Sequence, residues 1–327
     1  MTACLEELPV RLGKNEAQLV VEGYINDRQE ACRVRLSTLD NLDGTTTSTD
    51  LIDGAVVELE LGDGRRVRFQ DEGNGQYLTE AVRGRTGDAF RLHVRLSNGD
   101  EYSSDLQTIP EPVLMLSGGA TLVEDRVETS PGNFRSVFRH DISVEILNTP
   151  NDHFYLIENS GWASVEIGYD CLDAFGGSPF CWSLRQPIAR GLVVGSNQGF
   201  GSGNYRAVLF GVPFDYKRLY IANVRLHALS REQFLFWQEA QAQLDRTGGL
   251  FDRPFAPLVG NIRQTNGEKT ALGYFFAYAT DSQSICFDRN NVPSRIAPVP
   301  IIRNCAVLCT EVWNPATFEN MEALLCE

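Results

Sequence analysis

From residue 17 to about residue 105, apolar and polar side chains alternate over short segments at 18–25, 32–36, 55–61, 65–69, 76–79 and 89–96. A period of two marks strands that bury one face and wet the other. Gly62-Asp63-Gly64, Asn74-Gly75 and Asn98-Gly99 between these segments supply the positive-φ positions that tight hairpins need. Short strands at near-regular spacing predict a small β-sandwich over 17–105. Pro110 and Pro112, on either side of Glu111, do not suit a central strand, so 106–113 reads as an interdomain linker.

Beyond the linker the strand-like segments lengthen: 122–128, 134–147, 153–157, 164–169, 205–211 and 218–229, with a further apolar run at 272–279. One helix interrupts them. Ser230-Arg231-Glu232-Gln233 is a capping box, and a run to residue 246 follows before Gly248-Gly249. Phe234, Trp237, Gln241 and Leu244 fall on one helical stripe, widened by Phe236 and Ala240, which predicts packing against a sheet. The expected fold is mainly β: a tether at 1–16, the small sandwich, the linker, and a larger β-rich domain over 114–327 with a helix at 230–246.

Composition narrows the class. The chain of 327 residues carries a net charge of −14, which opposes a nucleic-acid partner, whose phosphates require a basic face. No run of about 18 apolar residues is present, so no helix spans a bilayer. Lysine occurs only at Lys14, Lys217 and Lys269, which leaves little scope for Schiff-base chemistry.

Membrane attachment is expected by another route. Small residues Thr2-Ala3 before Cys4, followed by acidic Glu6-Glu7, resemble the tail of a bacterial lipoprotein signal. Diacylglycerol and acyl chains on Cys4 would together meet the two-signal requirement for stable anchoring. The alternative is an early cysteine on a frayed terminus. Setting Cys4 aside leaves seven cysteines. Cys32 shares the apolar side of its strand with Val34 and Leu36 and is expected to be free. Cys171 and Cys181 flank the turn Gly176-Gly177-Ser178-Pro179 and are disulfide candidates; Cys286, Cys305, Cys309 and Cys326 allow three pairings. Export favours disulfides over a zinc site, because Cys305 and Cys309 lack tight knuckle spacing.

The search for catalytic chemistry gives little. The histidines are His93, His140, His153 and His227. His140-Asp141 and Asp152-His153 set acid beside imidazole, but neighbours on a strand point to opposite faces. The glycine-rich run from Gly195 to Tyr205 fits neither a nucleophile elbow nor a phosphate loop and reads as a surface loop with an aromatic at its tip. Asp100, Glu101 and Asp105 lack calcium-loop spacing. No catalytic residue, cofactor or metal ligand is assigned. Trp162, Phe175, Phe180, Trp182, Phe200 and Tyr205 lie in loop-like, glycine-rich contexts. They are candidates for contact with a ligand or partner; the alternative is that they plug the sandwich ends.

Several segments carry a resemblance. Val20-Val21-Glu22-Gly23-Tyr24-Ile25, Gly54-Ala55-Val56-Val57-Glu58-Leu59, Gly87-Asp88-Ala89-Phe90-Arg91-Leu92, the helix from Ser230, Pro257-Leu258-Val259-Gly260-Asn261-Ile262 and Leu272-Gly273-Tyr274-Phe275 resemble, in this order, a Bacteroidota family. It is the family of outer-membrane lipoproteins grouped as domain of unknown function 4249. The resemblance implies an Ig-like or transthyretin-like, carboxypeptidase-regulatory-like first domain without an active site. It also implies a cell-surface, lipid-anchored protein that partners a TonB-dependent β-barrel receptor in nutrient uptake. The tail over 316–327 departs from the aromatic finish the family leads one to expect. A non-enzymatic accessory or ligand-capturing subunit is therefore the leading expectation, and an envelope hydrolase acting on glycans or peptides, or a structural adhesin, is the alternative.

Overall fold

A computed structural model describes residues 17–28, 30–41, 47–130, 132–166, 180–185, 192–201, 203–214, 219–245, 258–269 and 271–289. The fold is mainly β, with a single helix among the described residues. It divides into two units: residues 1–111 with 247–279, and residues 112–246 with 280–327.

The first unit begins with the alternating segments. The six form β1 (Gln18–Asn26), β2 (Cys32–Asn41), β4 (Val56–Leu61), β5 (Arg66–Arg68), β7 (Gln76–Thr79) and β8 (Ala89–Arg95), and between and after them lie β3 (Thr47–Leu51), β6 (Gln70–Gly73), β9 (Glu101–Ser104) and β10 (Gln107–Thr108), which the alternation did not predict. β1, β2, β7 and β6 pair antiparallel in that order, with β3 on β2. A second sheet sets β4 between β5 and β8, and β8 between β4 and β9. The alternation buries Val21, Val34, Leu36 and Tyr77 from the first sheet and Val57, Leu59, Leu92 and Val94 from the second. These inner faces make a β-sandwich. Cys32 is free and buried, its thiol donating to the Tyr24 carbonyl at 3.1 Å, and burial pushes its titration far upward. The hairpin glycines act as expected at Asn74-Gly75, both at positive φ.

Two features differ from the sequence reading. The contiguous division at 17–105 omits strands contributed from far along the chain: β18 (Ile262–Gln264) pairs with β9, and Leu272–Tyr278 of β19 (Leu272–Asp288) pairs parallel with β1. A parallel partner cannot come from a hairpin, so nothing local announces it. Buried Asn261 fixes the returning chain, its amide exchanging two 2.9 Å hydrogen bonds with the backbone of Phe275. The segment over 106–113 is also more than a tether, because β10 pairs with β8 and Ile109 exchanges backbone bonds with Gly87 and Asp88.

The second unit is built from β11 (Met115–Ser130), β12 (Asn133–Ile146), β13 (Phe154–Glu166), β14 (Phe180–Arg185), β15 (Leu192–Ser196), β16 (Tyr205–Pro213), β17 (Leu219–Leu229), α1 (Arg231–Leu244) and the end of β19 from Thr280. β11, β12 and β16 form one antiparallel sheet. In the other, β13 pairs with β17 along one edge and with β15 and then β14 along its opposite edge. The segments expected at 153–157 and 164–169 are joined, since β13 runs unbroken from Phe154 to Glu166. Asn159, Ser160 and Gly161 between them keep register with Val224, Asn223 and Ala222, and Gly161 leaves room for the Tyr220 ring.

The capping box forms as its sequence requires. Ser230 Oγ accepts from the Gln233 amide at 3.3 Å, and Gln233 Oε1 accepts from the Ser230 amide at 3.2 Å. The helix docks through Phe234 and Trp237 onto Phe154, Leu156 and Leu229, with Val194 alongside. The stripe is shorter than its periodicity predicts, since Leu244 is 61% exposed.

Candidate functional site

In the second unit β15 ends at Ser196, the chain turns, and β16 begins at Tyr205. Beside this turn lies the connection from β12 to β13, residues 147–153. The buried amide of Asn197 and the half-buried amide of Asn148 tie the segments together. Asn197 donates from Nδ2 to Asn148 Oδ1 at 3.0 Å, to the Thr149 carbonyl at 3.2 Å and to the Asn151 carbonyl at 2.9 Å. Its Oδ1 accepts from the His153 amide at 2.9 Å, and Asn148 Nδ2 donates to the Gly201 carbonyl at 2.8 Å. These bonds satisfy loop backbone groups that would otherwise need water. The glycine-rich run is thus pinned at Asn197 and Gly201.

An aromatic column stands on this frame. His153 Nε2 lies 2.8 Å from the Tyr205 hydroxyl, and their rings stack with centroids 6.0 Å apart. Tyr205 also hydrogen-bonds Tyr155 and stacks on it at 6.2 Å. Phe200 lies almost flat on Tyr205, at 4.5 Å and 17° between planes. Tyr155 and Tyr205 are buried, whereas Phe200 is 52% exposed. Gly195 pairs with Tyr155 across the strands, and a Cβ built there overlaps the Tyr155 hydroxyl. Only glycine leaves the ring its place.

The column is uncharged. Burial lowers the His153 titration, opposed by the neighbouring Asp152 carboxylate. Burial and then the nearby Tyr155 push the Tyr205 phenol far upward, and burial raises Tyr155, opposed by its bond with Tyr205. Both phenols hold their protons at neutral pH, so the buried groups brace the exposed ring and supply no anionic nucleophile. With a neutral imidazole, Nε2–H donating to Tyr205 leaves Nδ1 as acceptor toward the Thr149 hydroxyl 3.3 Å away.

The other histidines serve elsewhere. His93 meets Glu60 at 2.8 Å, and His227 reaches Thr280 at 3.0 Å and Glu158 at 3.4 Å. His140 packs against Phe287 and Phe214, while Asp141 on the other face bonds Arg139 at 2.7 Å. Among the described residues no group of three or more His, Cys, Asp or Glu is placed to hold a metal ion. No described helix is long and apolar enough to cross a membrane.

Of the aromatic positions singled out from sequence, the structure joins Phe200 and Tyr205 and sets Trp162, Phe180 and Trp182 apart from them on β13 and β14. Trp182 is not in a loop: it lies in β14 opposite Ser164 and is 1% exposed. Trp162 is likewise a strand residue, between Leu184 and Ile221. Phe180 and Cys181 occupy β14 as partners of Glu166 and Val165. Cys286 lies near the end of β19. Cys4, Cys171, Phe175, Cys305, Cys309 and Cys326 lie outside the described residues. Sequence reasoning missed Asn148, Tyr155 and Asn197, and weighed His153 only against Asp152. The available signal was Gly195 within an apolar strand segment, where a missing side chain marks close approach of another group.

No curated protein matches the sequence. The match that does arise spans residues 6–284, covering both units' described strands through most of β19, and is to the family model described as "Domain of unknown function (DUF4249)". The chain belongs to that family.

Proposed function

We propose that this protein is a non-enzymatic, surface-exposed lipoprotein of the outer membrane, anchored through lipid on Cys4, that captures ligand for a TonB-dependent β-barrel receptor. The observation that carries the capturing role is Phe200. A half-exposed phenyl ring is held flat on buried Tyr205, itself bonded to buried Tyr155 and half-buried His153, so the ring is preorganised rather than free to collapse onto the surface. Rigid presentation reduces the ordering cost of binding. The neutral network beneath it suits recognition better than acid–base chemistry. Export to an oxidising compartment would favour pairing of Cys286, and the acidic balance of the chain suits a surface position. Tethering to the receptor's membrane would raise the local concentration of captured ligand at the barrel.

Replacing Phe200 by alanine in cells, at wild-type protein level, tests this reading. Receptor-dependent nutrient uptake is expected to fall. Unchanged uptake would remove these loops from the transport role. Phe200 is the suitable position, because an alanine at Trp182 would open a core cavity and confuse loss of binding with loss of folding.

A further inference from the structure

We infer that the Phe200 platform takes the apolar face of a sugar ring, so that the captured ligand is an oligosaccharide. The inference rests on the ligand-capturing role proposed for these same loops and adds its chemical class.

Three features of the site select it. The first is the platform: Phe200 rests on Tyr205 through one face and is half exposed, a flat apolar surface of the size of one pyranose. A pyranose has C–H bonds on its faces and hydroxyls around its edge. It therefore matches an aromatic plane bordered by small hydrogen-bonding groups.

The second is the surroundings. Thr149, Asn151, Asp152, Gln198 and Asn204 are exposed on the same two connections, and Gln198 already donates to Asp152 at 2.8 Å. Amides and hydroxyls present donors and acceptors together, as vicinal sugar hydroxyls require, and one carboxylate accepts two hydroxyl protons. The neighbouring cation, Arg206, follows Tyr205 on β16 and faces the other side of the strand. The site is thus poorly suited to a phosphate or a carboxylate ligand.

The third is what the platform lacks. Phe200 is the one large exposed hydrophobic described within 147–153 and 195–205. A stable protein interface buries on the order of 800 Å² per partner around an apolar core. One phenyl ring among amides does not make such a core, whereas it is sufficient for a single sugar unit.

The test is an array of immobilised neutral and acidic oligosaccharides and of unstructured hexapeptides, probed with the full-length protein and with Phe200→Ala and Phe200→Trp. Neutral oligosaccharides are expected to bind the native protein, to bind Phe200→Ala at least tenfold more weakly, and to be retained by Phe200→Trp, all three proteins sharing one melting temperature. A blank glycan array, or glycan binding that survives Phe200→Ala, overturns the sugar assignment. The uptake experiment separates the two levels. Uptake lost in Phe200→Ala with a blank glycan array leaves ligand capture standing and rejects sugar; uptake unaffected by Phe200→Ala rejects capture at this site as well.

Discussion

Phe200 and Tyr205 stack at 4.5 Å with only 17° between their planes, one ring half in solvent and the other 6% exposed. The pair joins an exposed contact to an interior hydrogen-bond network, so the two residues should respond oppositely to substitution. Phe200→Ala removes surface already half wet and is expected to change unfolding free energy by less than about 1 kcal/mol. Tyr205→Phe keeps the ring but leaves His153 Nε2 and Tyr155 short of a partner, an expected loss of about 1–3 kcal/mol. Urea denaturation of the two variants separates the roles.

Glycines in the same loop divide by what lies beside them. A methyl group at Gly195 meets the buried Tyr155 hydroxyl, whereas one at Gly201 meets open space. Gly195→Ala is expected to destabilise by about 1–3 kcal/mol through overpacking. Gly201→Ala should lie within about 0.5 kcal/mol of native. Equal midpoints for both would contradict the packing described for Tyr155.

The helix offers a test independent of the site. Ser230→Ala deletes the hydroxyl that accepts from Gln233, with an expected cost of about 1 kcal/mol. Because Ser230 is remote from Phe200 in sequence and contributes no group to its loops, ligand capture should persist. Thermal unfolding with a parallel binding measurement checks both halves.

Acid should weaken the protein through two histidines. Burial lowers His153, with Asp152 opposing, and burial together with the Arg289 charge lowers His140. Each therefore holds fewer protons folded than unfolded at pH values between its depressed folded pKa and the unfolded value near 6.5. The stability they contribute is complete above about 6.5 and is lost as pH falls through that window. His140→Phe tests the assignment, because His140 already sits between Phe214 and Phe287 and its Nδ1 has no partner among the described residues. The drop in urea midpoint from pH 7.5 to 5.5 should shrink in that variant.

The parts of the fold legible in the sequence were the local ones. Period-two alternation gave β1, β7 and β8 nearly to the residue, and Ser230 with Gln233 gave the start of α1. What escaped depended on distance in the chain. The pairing of β1 with β19 is set by the burial of Val21 and Phe275 on strands some 250 residues apart, which no local period reports. The site divided in the same way. Phe200 and Tyr205 stood out as aromatics among glycines, while Trp162 and Trp182 looked alike in sequence and proved to be strand residues. The braces Asn148, Asn197 and His153 are ordinary polar residues until two connections bring them together.

The central claim is a surface lipoprotein working with a receptor, and affinity purification from native outer membranes tests it most directly, with mass spectrometry of the co-purified proteins and of the N-terminal peptide. The account predicts a TonB-dependent β-barrel in near-stoichiometric amount and a Cys4 peptide carrying diacylglycerol and acyl mass. A protein recovered without a barrel partner, with Cys4 unmodified, would contradict it.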